Sequence, residues 1–316
     1  MGHFLQSQAW ARLQRDLGRT VVALDGDGWS AQAILERGKL NSRLYAPYGP
    51  QLDRADALPA ALSALRSEAQ RLGAAFVRVE PMLRDIPEGA QPALAPATLE
   101  ASGLRRVARV QPEYTQRVRL DRPFDDVLGE MRKTNRNLHR NAAKKGLAIR
   151  ASADPEDIEH LLRLLRDVSD RTGMHAHADE YLRQQARTLV PSGDATIYLV
   201  DLEGEEQPIA ASLVFDDEER RYYAHAAANT AHRKLSPGVV LVTTMMQQAH
   251  EQGRREFDLY GVVPADVTDH AWSGFSDFKR SFGGEQIAFS GAWELPVRPL
   301  SYAIYSLART VVGGRV

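Results

Sequence analysis

The stretch QPIAASLVFDDEERRYYAHAAANTAHRKLSPGVVLVTTMMQQAHEQGRREFDLYGV, residues 207–262, decides the fold. It opens with two apolar and aromatic runs separated by the charged turn DDEER, which predicts a pair of strands. The loop TAHRKLSPG, residues 230–238, leads into an apolar helix that ends at Gly253, and the segment 255–262 predicts a further strand. Strands that alternate with a helix in this way predict a mixed α/β unit.

The first half of the chain repeats this order. WSAQAILERG (29–38) predicts a strand, RLYAPYGP (43–50) a strand and loop, 54–73 a helix ended by glycine, and AAFVRVEP (74–81) a strand. Because both halves run strand, strand, loop, helix, glycine, strand, the sequence predicts two copies of one α/β unit.

The predicted domains are 1–148 and 149–297, with the segment 298–316 as a helix that packs back on the first domain. Leu300, Ile304, Leu307 and Val311 fall on one face of that helix. An apolar stripe of this kind predicts a docked helix.

Composition excludes several classes of protein. The 316 residues carry a formal net charge of −1, with 43% hydrophobic and 26% charged residues, so any polyanion must bind at a local site. The absence of cysteine excludes disulfides and thiolate metal sites. The start does not resemble a signal peptide, and no apolar run approaches the roughly 20 residues that span a bilayer. We therefore expect a soluble cytoplasmic protein.

A basic block occupies residues 131–150, MRKTNRNLHRNAAKKGLAIR, which contains no acid. On a helix, Arg132, Arg136, Arg140 and Lys144 fall four residues apart and form one slowly turning stripe. Like charges at this spacing are unfavourable, which favours an anionic partner such as a phosphate backbone. The alternative is a solvated helix face. Aromatic residues are not interleaved with the cations, so base stacking is not indicated.

Eight segments follow one another along nearly the whole chain, and they are FLQSQAW, YAPYGP, AAFVRVEP, VQPEYTQRVRL, MRKTNRNLHRNAAKKGLAI, DRTGMHAHADEY, GRREFDLYGV and FSDFKRSFGGE. In this order they resemble the Fem-type (FemABX) peptidoglycan aminoacyltransferases. The resemblance implies a mixed α/β fold of two tandem acetyltransferase (GNAT)-like domains. It also implies an enzyme of cell-wall biogenesis that forms interpeptide bridges. No sustained heptad run is present, so the chain resembles the compact members without a coiled-coil arm.

The resemblance implies two substrates and no cofactor. The donor would be an aminoacyl-tRNA that binds the stripe Arg132, Arg136, Arg140 and Lys144. The acceptor would be a UDP-linked or lipid-linked muramyl-pentapeptide, and a lipid-linked one would bring the protein to the inner face of the membrane. In this reaction a stem-peptide amine attacks the aminoacyl ester.

The resemblance implies roles for individual residues of this chain. Lys279, with Phe278 before it, matches a catalytic position, and its ammonium could stabilise the oxyanion of the intermediate. Tyr181 matches a contact to acceptor phosphate. His177 stands where relatives have arginine, and Gln14 stands where they have lysine. These two departures weaken the expected grip on a UDP pyrophosphate.

Several alternatives remain open at this point. A lipid-linked precursor, or a contact from Arg12 or Arg15, could compensate for the missing cations. A general base, if one is used, could be Asp258, Glu80 or Glu285. The pair His175 and His177 has no third ligand nearby in the sequence, so no metal is predicted.

The loop before the helix of the second unit permits two interpretations. Arg233, Lys234 and Gly238 could hold the phosphates of the acceptor or the pyrophosphate of coenzyme A. A Ser-capped helix that follows a basic loop is the structural alternative. Two other functions therefore stay open, a coenzyme A-dependent N-acyltransferase of the GNAT type and a non-catalytic RNA-binding protein.

Overall fold

A computed structural model of the chain describes residues 2–38, 42–84, 86, 89–173, 177–267 and 269–313, with side chains up to Arg309. Within these ranges, no helix combines the length and the apolar character that crossing a membrane requires.

The strands of the described residues are β1 (Thr20–Gly26), β2 (Trp29–Arg37), β3 (Ser42–Ala46), β4 (Gln51–Leu52), β5 (Phe76–Val79), β6 (Met82–Leu83), β7 (Arg105–Arg106), β8 (Tyr114–Arg119), β9 (Leu147–Ser152), β10 (Ala195–Leu202), β11 (Ala210–Asp216), β12 (Arg220–Ala228), β13 (Glu256–Gly261), β14 (Glu285–Ala288) and β15 (Trp293–Pro296). The α-helices are α1 (Gln8–Asp16), α2 (Leu58–Arg71), α3 (Pro96–Ala101), α4 (Phe124–Glu130), α5 (Lys133–Arg140), α6 (Ile158–Thr172), α7 (Asp179–Leu189), α8 (Pro237–Glu251), α9 (Ser273–Arg280) and α10 (Pro299–Gly313).

The chain divides into two compact units. Unit 1 comprises residues 1–113 and 287–316, and unit 2 comprises residues 114–286. The structure thus places the boundary upstream of the predicted position between residues 148 and 149. The physical reason is β8, which forms part of the unit 2 sheet between β14 and β13.

The sheet of unit 2 has the strand order β14-β8-β13-β12-β11-β10-β9. The strands β11 and β12 form an antiparallel pair, α8 crosses over, and β13 then pairs parallel to β12. This parallel register runs only from Arg220 opposite Glu256 to Tyr222 opposite Asp258, whereas β12 continues to Ala228. The two strands therefore separate beyond Tyr222. The buried side chains of α8, among them Leu241, form the centre of the core.

Unit 1 follows the same plan. The strands β2 and β3 pair antiparallel, and β5 pairs parallel to β3 after the helix α2. The antiparallel neighbour on the other side of β5 is β15, just as β8 is the antiparallel neighbour of β13. The prediction of two copies of one mixed α/β unit is therefore confirmed.

The helix α10 lies in unit 1, but the predicted docking face is wrong. Tyr302 and Tyr305 are the residues that pack on Phe76, with ring centroids at 5.5 and 4.7 Å. Leu300, Ile304 and Leu307 are instead exposed, and the side chain of Val311 lies outside the described residues. Aromatic rings with a hydroxyl group pack here because their polar ends find partners at Arg78 and Glu294.

Candidate active site

Lys279 lies on α9, and its side chain is withdrawn from water. The residue is 2% exposed, and Nζ donates a hydrogen bond to the Gly261 carbonyl at 2.8 Å. Nζ also lies 4.1 Å from the centroid of the Phe275 ring. Burial lowers the pKa of Lys279 to about 7, although the charge of Asp258 opposes this shift. An amine with a pKa near neutrality can hold or release a proton under physiological conditions.

The end of β13 is irregular, and this irregularity accompanies the contact between Gly261 and Lys279. Tyr260 has a φ of 64°, and the register of β13 on β8 shifts between Asp258 and Gly261. A positive φ is unfavourable for a bulky residue and persists only where neighbouring groups hold it. The Tyr260 N–H donates to Asp258 Oδ1 at 2.7 Å, which supplies such support. Bulges of this kind commonly re-aim groups beside active sites.

Asp258 is a buried anchor of this bulge. The residue is 1% exposed, and it accepts hydrogen bonds from the Thr115 hydroxyl and the Tyr260 N–H. Arg117 Nε lies 3.7 Å from its second oxygen. These contacts give Asp258, one of the candidate bases, a structural role as an acid that caps the Tyr260 N–H, and its charge also acts on the Lys279 ammonium.

The other two candidate bases have different surroundings. Glu80, in unit 1, is buried and accepts from the Tyr45 hydroxyl and from the backbone N–H groups of Tyr48 and Gln111, each at 3.1 Å. Burial raises the pKa of Glu80 even though these donors oppose the shift. Its oxygens are thus engaged in holding loops together. Glu285 is exposed on β14.

Phe278 brings the end of α9 to the start of α8. Its ring packs edge-on against Phe282 with centroids 5.0 Å apart. A Cβ atom added at Gly238 would lie 3.7 Å from Phe278 Cζ, so the ring and the first turn of α8 are neighbours. Two segments that the sequence separates by 40 residues, the FK motif and the SPG loop, therefore meet in unit 2.

The start of α8 carries exposed cations. Arg233 and Lys234 are both exposed in the turn before the helix, and Ser236 adopts a φ of 52°. The Ser236 side chain makes no capping hydrogen bond, so the alternative of a Ser-capped helix is wrong. A serine in this left-handed conformation does not have the extended backbone that capping requires. The cations thus face solvent beside Gly238.

His177 and Tyr181 form an aromatic cluster in unit 2. Their ring centroids are 5.3 Å apart, and His225 of β12 lies 5.5 Å from His177. Desolvation lowers the pKa of His177, and it lowers the pKa of His225 to about 3. Both rings are therefore neutral at pH 7, and His177 does not supply the positive charge of the arginine that it replaces. His175 lies outside the described residues.

The basic block is only partly the predicted stripe. The helix α5 ends at Arg140, and Lys144 lies on a separate 3-10 turn, Ala143–Lys145. Arg136 does not project freely, because its Nη1 donates to the Gly129 and Met131 carbonyls at the end of α4. The prediction of one continuous stripe is therefore wrong, and Arg136 is a helix-end cap.

Arg150, the last cation of the block, is paired with Asp157 and Asp201, each at 3.0 Å. The remaining cations are exposed, and among the described residues none of them forms an ion pair with a carboxylate; they are Arg132, Lys133, Arg140, Lys144 and Lys145. The Arg132 N–H donates to the Ser281 carbonyl at 2.9 Å. Asn135 Nδ2 donates to the Ser281 carbonyl and hydroxyl at 3.1 and 2.7 Å. These bonds join the start of α5 to the end of the helix that carries Lys279.

Gln14 of unit 1 is not presented to a ligand. The residue is fully buried on α1, where Oε1 accepts from Arg19 Nη1 at 2.7 Å. A side chain without solvent exposure does not reach a ligand in this conformation, so the predicted contact of Gln14 with precursor is not supported. Arg12 and Arg15 are exposed on the same helix.

In the described ranges, no group of three or more histidine or acidic residues could hold a metal ion.

The sequence did not predict three features of the Lys279 surroundings. Phe275 could have been found, since it precedes Lys279 by one helical turn. The Gly261 carbonyl and the Asn135–Ser281 bonds could not, because they depend on a backbone bulge and on non-local contacts.

Comparison with known proteins agrees with the fold. Residues 129–280 match the family described as acetyltransferase (GNAT) domain. The crystal structure of FemX superimposes with a TM-score of 0.80 at 18% identity, covering 96% of this chain and 94% of that chain. A tandem GNAT protein from the clavulanic acid biosynthesis pathway superimposes with a TM-score of 0.54 at 16% identity, covering 85% and 79%. The chain has a tandem GNAT fold.

The chain is also similar in sequence to a curated relative. Over 222 residues the chain is 25% identical to the lipid II:glycine glycyltransferase of Staphylococcus aureus, which covers 65% of this chain and 52% of the relative. The chain thus spans about half the length of the curated relatives that it matches. The resemblance to Fem-type proteins predicted from the sequence is confirmed.

Proposed function

We propose that this protein transfers an amino acid from an aminoacyl-tRNA to the stem-peptide side-chain amine of a peptidoglycan precursor. The observation that carries the proposal is the buried Lys279, whose Nζ is held by the Gly261 carbonyl at the point where β13 leaves its regular register. The likeness to a lipid II:glycine glycyltransferase supports this class of reaction.

The chemistry requires a new amide bond and the loss of an ester bond. The acceptor amine attacks the aminoacyl carbonyl, the C–N bond forms, and the C–O bond to the RNA ribose breaks. The proton that the amine loses ends on the ribose hydroxyl that leaves. The carbonyl oxygen is negatively charged in the intermediate, and the Lys279 ammonium is suited to stabilise it in a site from which water is excluded. The ester is already activated, so positioning supplies part of the remaining acceleration.

The acceptor would bind through Tyr181, His177, Arg233 and Lys234. Arg233 and Lys234 are exposed at the start of α8 and are suited to phosphate oxygens. Because desolvation keeps the His177 and His225 rings neutral at pH 7, the cluster with Tyr181 offers stacking and hydrogen bonding in place of a cation. Both a UDP-linked and a lipid-linked acceptor carry a pyrophosphate that Arg233 and Lys234 could contact, and the transfer assay below distinguishes them.

The donor would bind along the exposed cations of the basic block. Arg132, Arg140 and Lys144 remain available for phosphate contacts, whereas Arg136 is engaged with backbone carbonyls. The bonds from α5 to Ser281 would keep these cations in a fixed relation to α9 and thus to Lys279. Three points remain predictions from the sequence. They are the location in the cytoplasm, the absence of a cofactor and the alternative function as an RNA-binding protein without catalysis.

A transfer assay tests this proposal. The purified protein would be incubated with a tRNA pool charged with radiolabelled amino acids and with UDP-linked or lipid-linked muramyl-pentapeptide. We expect label to enter the precursor, RNase to abolish transfer, and Lys279→Met to lower the rate by at least about 100-fold, as for loss of an oxyanion donor. Lys144→Met is the matched control and should affect the donor KM only.

Two results would contradict the proposal. Full turnover by Lys279→Met would remove the catalytic role of the lysine. Thermal stabilisation by acetyl-coenzyme A, without transfer to any precursor, would favour the coenzyme A-dependent alternative.

A further inference from the structure

The outward face of α10 in unit 1 is apolar. Leu300, Ile304 and Leu307 are 84%, 62% and 69% exposed. They are spaced by four and three residues, so they form one stripe along the helix. Single exposed apolar residues are ordinary, but a contiguous stripe of large side chains marks a surface that is covered in function.

The opposite face of α10 fixes the helix to unit 1. The Tyr302 hydroxyl donates to Glu294 Oε2 at 2.9 Å, and Arg78 Nη2 donates to the Tyr305 hydroxyl at 2.9 Å. The Tyr305 ring also stacks on Phe76. Because these contacts hold the tyrosines inward, the stripe cannot turn into the core of unit 1 without breaking them.

Exposed arginines border the stripe. Arg66 and Arg105 line a groove together with Tyr302, Ala303 and Leu307. Both residues are exposed. Arg66 Nη2 donates to the Pro296 carbonyl at 3.1 Å, and the Arg105 guanidinium lies 5.5 Å from the centroid of the Tyr302 ring. Neither arginine has a carboxylate partner in the part of the chain that the structure describes. The sequence from Leu295 to Val316 contains no acid. The surface therefore combines apolar side chains with uncompensated positive charge.

We propose that this face of unit 1 seats on an anionic lipid membrane. Leu300, Ile304 and Leu307 enter the boundary between headgroups and acyl chains, while Arg66 and Arg105 contact lipid phosphates. A helix with one apolar face and a cationic border is the form that binds such an interface. A protein partner would need an acidic rim matched to these two arginines, whereas a membrane presents anionic groups on all sides.

This inference extends the proposed function. Only its consequence, the delivery of the enzyme to a lipid-linked acceptor, rests on that function. Binding itself is independent of turnover. The two ideas can therefore fail separately, and the experiment measures them separately.

Cosedimentation of the full chain with vesicles tests the proposal. We expect binding to vesicles of phosphatidylglycerol and phosphatidylethanolamine and weak binding to phosphatidylcholine. The variant L300Q/I304Q/L307Q keeps good helix formers and should bind at least about tenfold more weakly to anionic vesicles. The variant R66Q/R105Q should lose about tenfold on anionic vesicles alone. Controls are V110Q for the apolar change and R37Q/R54Q for the charge change, and both should bind like the wild type.

Each outcome decides between the possibilities. Equal vesicle binding by wild type and L300Q/I304Q/L307Q, with circular dichroism showing both folded, would overturn the proposal. So would self-association of the wild type that this variant abolishes, because the occupant would then be a second copy. Normal transfer to a UDP-linked acceptor together with loss of transfer to a lipid-linked one in vesicles would support it. Vesicle binding without any transfer would leave this surface established and contradict the proposed function.

Discussion

At the scale of single residues, the burial of a lysine is the unusual feature of unit 2, since Lys279 is 2% exposed. The FK motif points to this lysine through a resemblance, but no pattern in the sequence indicates the cause of its lowered pKa. That cause is burial beneath Phe275 and against the Gly261 carbonyl. The positive φ of Tyr260, which accompanies this arrangement, has no signature in the sequence because tyrosine rarely adopts it.

The lowered pKa of Lys279 predicts a dependence of stability on pH. In the folded protein the pKa is about 7, whereas an unfolded lysine has its ordinary value of 10.5. Between these values the unfolded chain binds a proton that the folded chain does not, so stability rises with pH. The slope is about 1.4 kcal/mol per pH unit. The free energy of unfolding of wild type minus that of Lys279→Met should therefore increase by about 2 kcal/mol from about pH 7.5 to about pH 9.

Urea denaturation at several pH values measures this difference. Lys144→Met is the control, because Lys144 is exposed and its ammonium stays in water in both states. Its free energy of unfolding should follow that of the wild type at every pH. Parallel curves for wild type and Lys279→Met would mean that Lys279 titrates normally in the folded protein.

At the scale of elements, local chemistry explains where helix prediction succeeded and where it failed. The apolar run from Val239 and the glycine at 253 predict the helix of unit 2, and α8 indeed ends just before Gly253, which has a φ of 78°. The helix begins two residues earlier than this run, at Pro237, which the sequence pattern places in the loop. The basic block failed as one helix because Asn141 follows α5 and Gly146 adopts a φ of 72°. Charge spacing alone could not show that Arg136 caps α4.

The different contacts of Arg136 and Arg140 predict different phenotypes. Arg136→Gln removes hydrogen bonds to the Gly129 and Met131 carbonyls, so it should lower the free energy of unfolding by about 1 kcal/mol and leave the salt dependence of tRNA binding nearly unchanged. Arg132→Gln with Arg140→Gln should leave stability unchanged. It should lower the slope of log K against log salt by about 1 per lost phosphate contact.

Filter binding of uncharged tRNA across a salt series, together with urea denaturation, separates the two effects. Arg37→Gln on unit 1 serves as a control for the loss of one exposed charge. If Arg136→Gln changed the salt slope as much as the double variant does, Arg136 would contact phosphate in the complex. An unchanged slope in the double variant would instead assign the block to solvent.

At the scale of the whole molecule, the sequence revealed the duplication but not how each unit is completed. The repeated order of strands and helix is local and could be recognised. In each unit the antiparallel strand that flanks the parallel pair comes from a distant segment, β8 upstream of the repeat in unit 2 and β15 far downstream in unit 1. Pairing over such distances leaves no periodic signal, so the boundary at 148 was misplaced.

Trp293 tests whether the returning strand completes unit 1. It is fully buried on β15, where it pairs with Val79 of β5 and packs in the core of this unit. Trp293→Ala should cost about 3–5 kcal/mol, the range for removing a large buried aromatic side chain. Hydrogen exchange of the β3 and β5 amides should then be faster by a factor of at least about 100, since 1.4 kcal/mol corresponds to tenfold.

Trp272→Ala is the matched control, because Trp272 is 38% exposed and its loss should leave the exchange of these amides unchanged. Unaltered protection in Trp293→Ala would show that unit 1 holds its sheet without β15, and the closing role assigned to the downstream segment would be wrong.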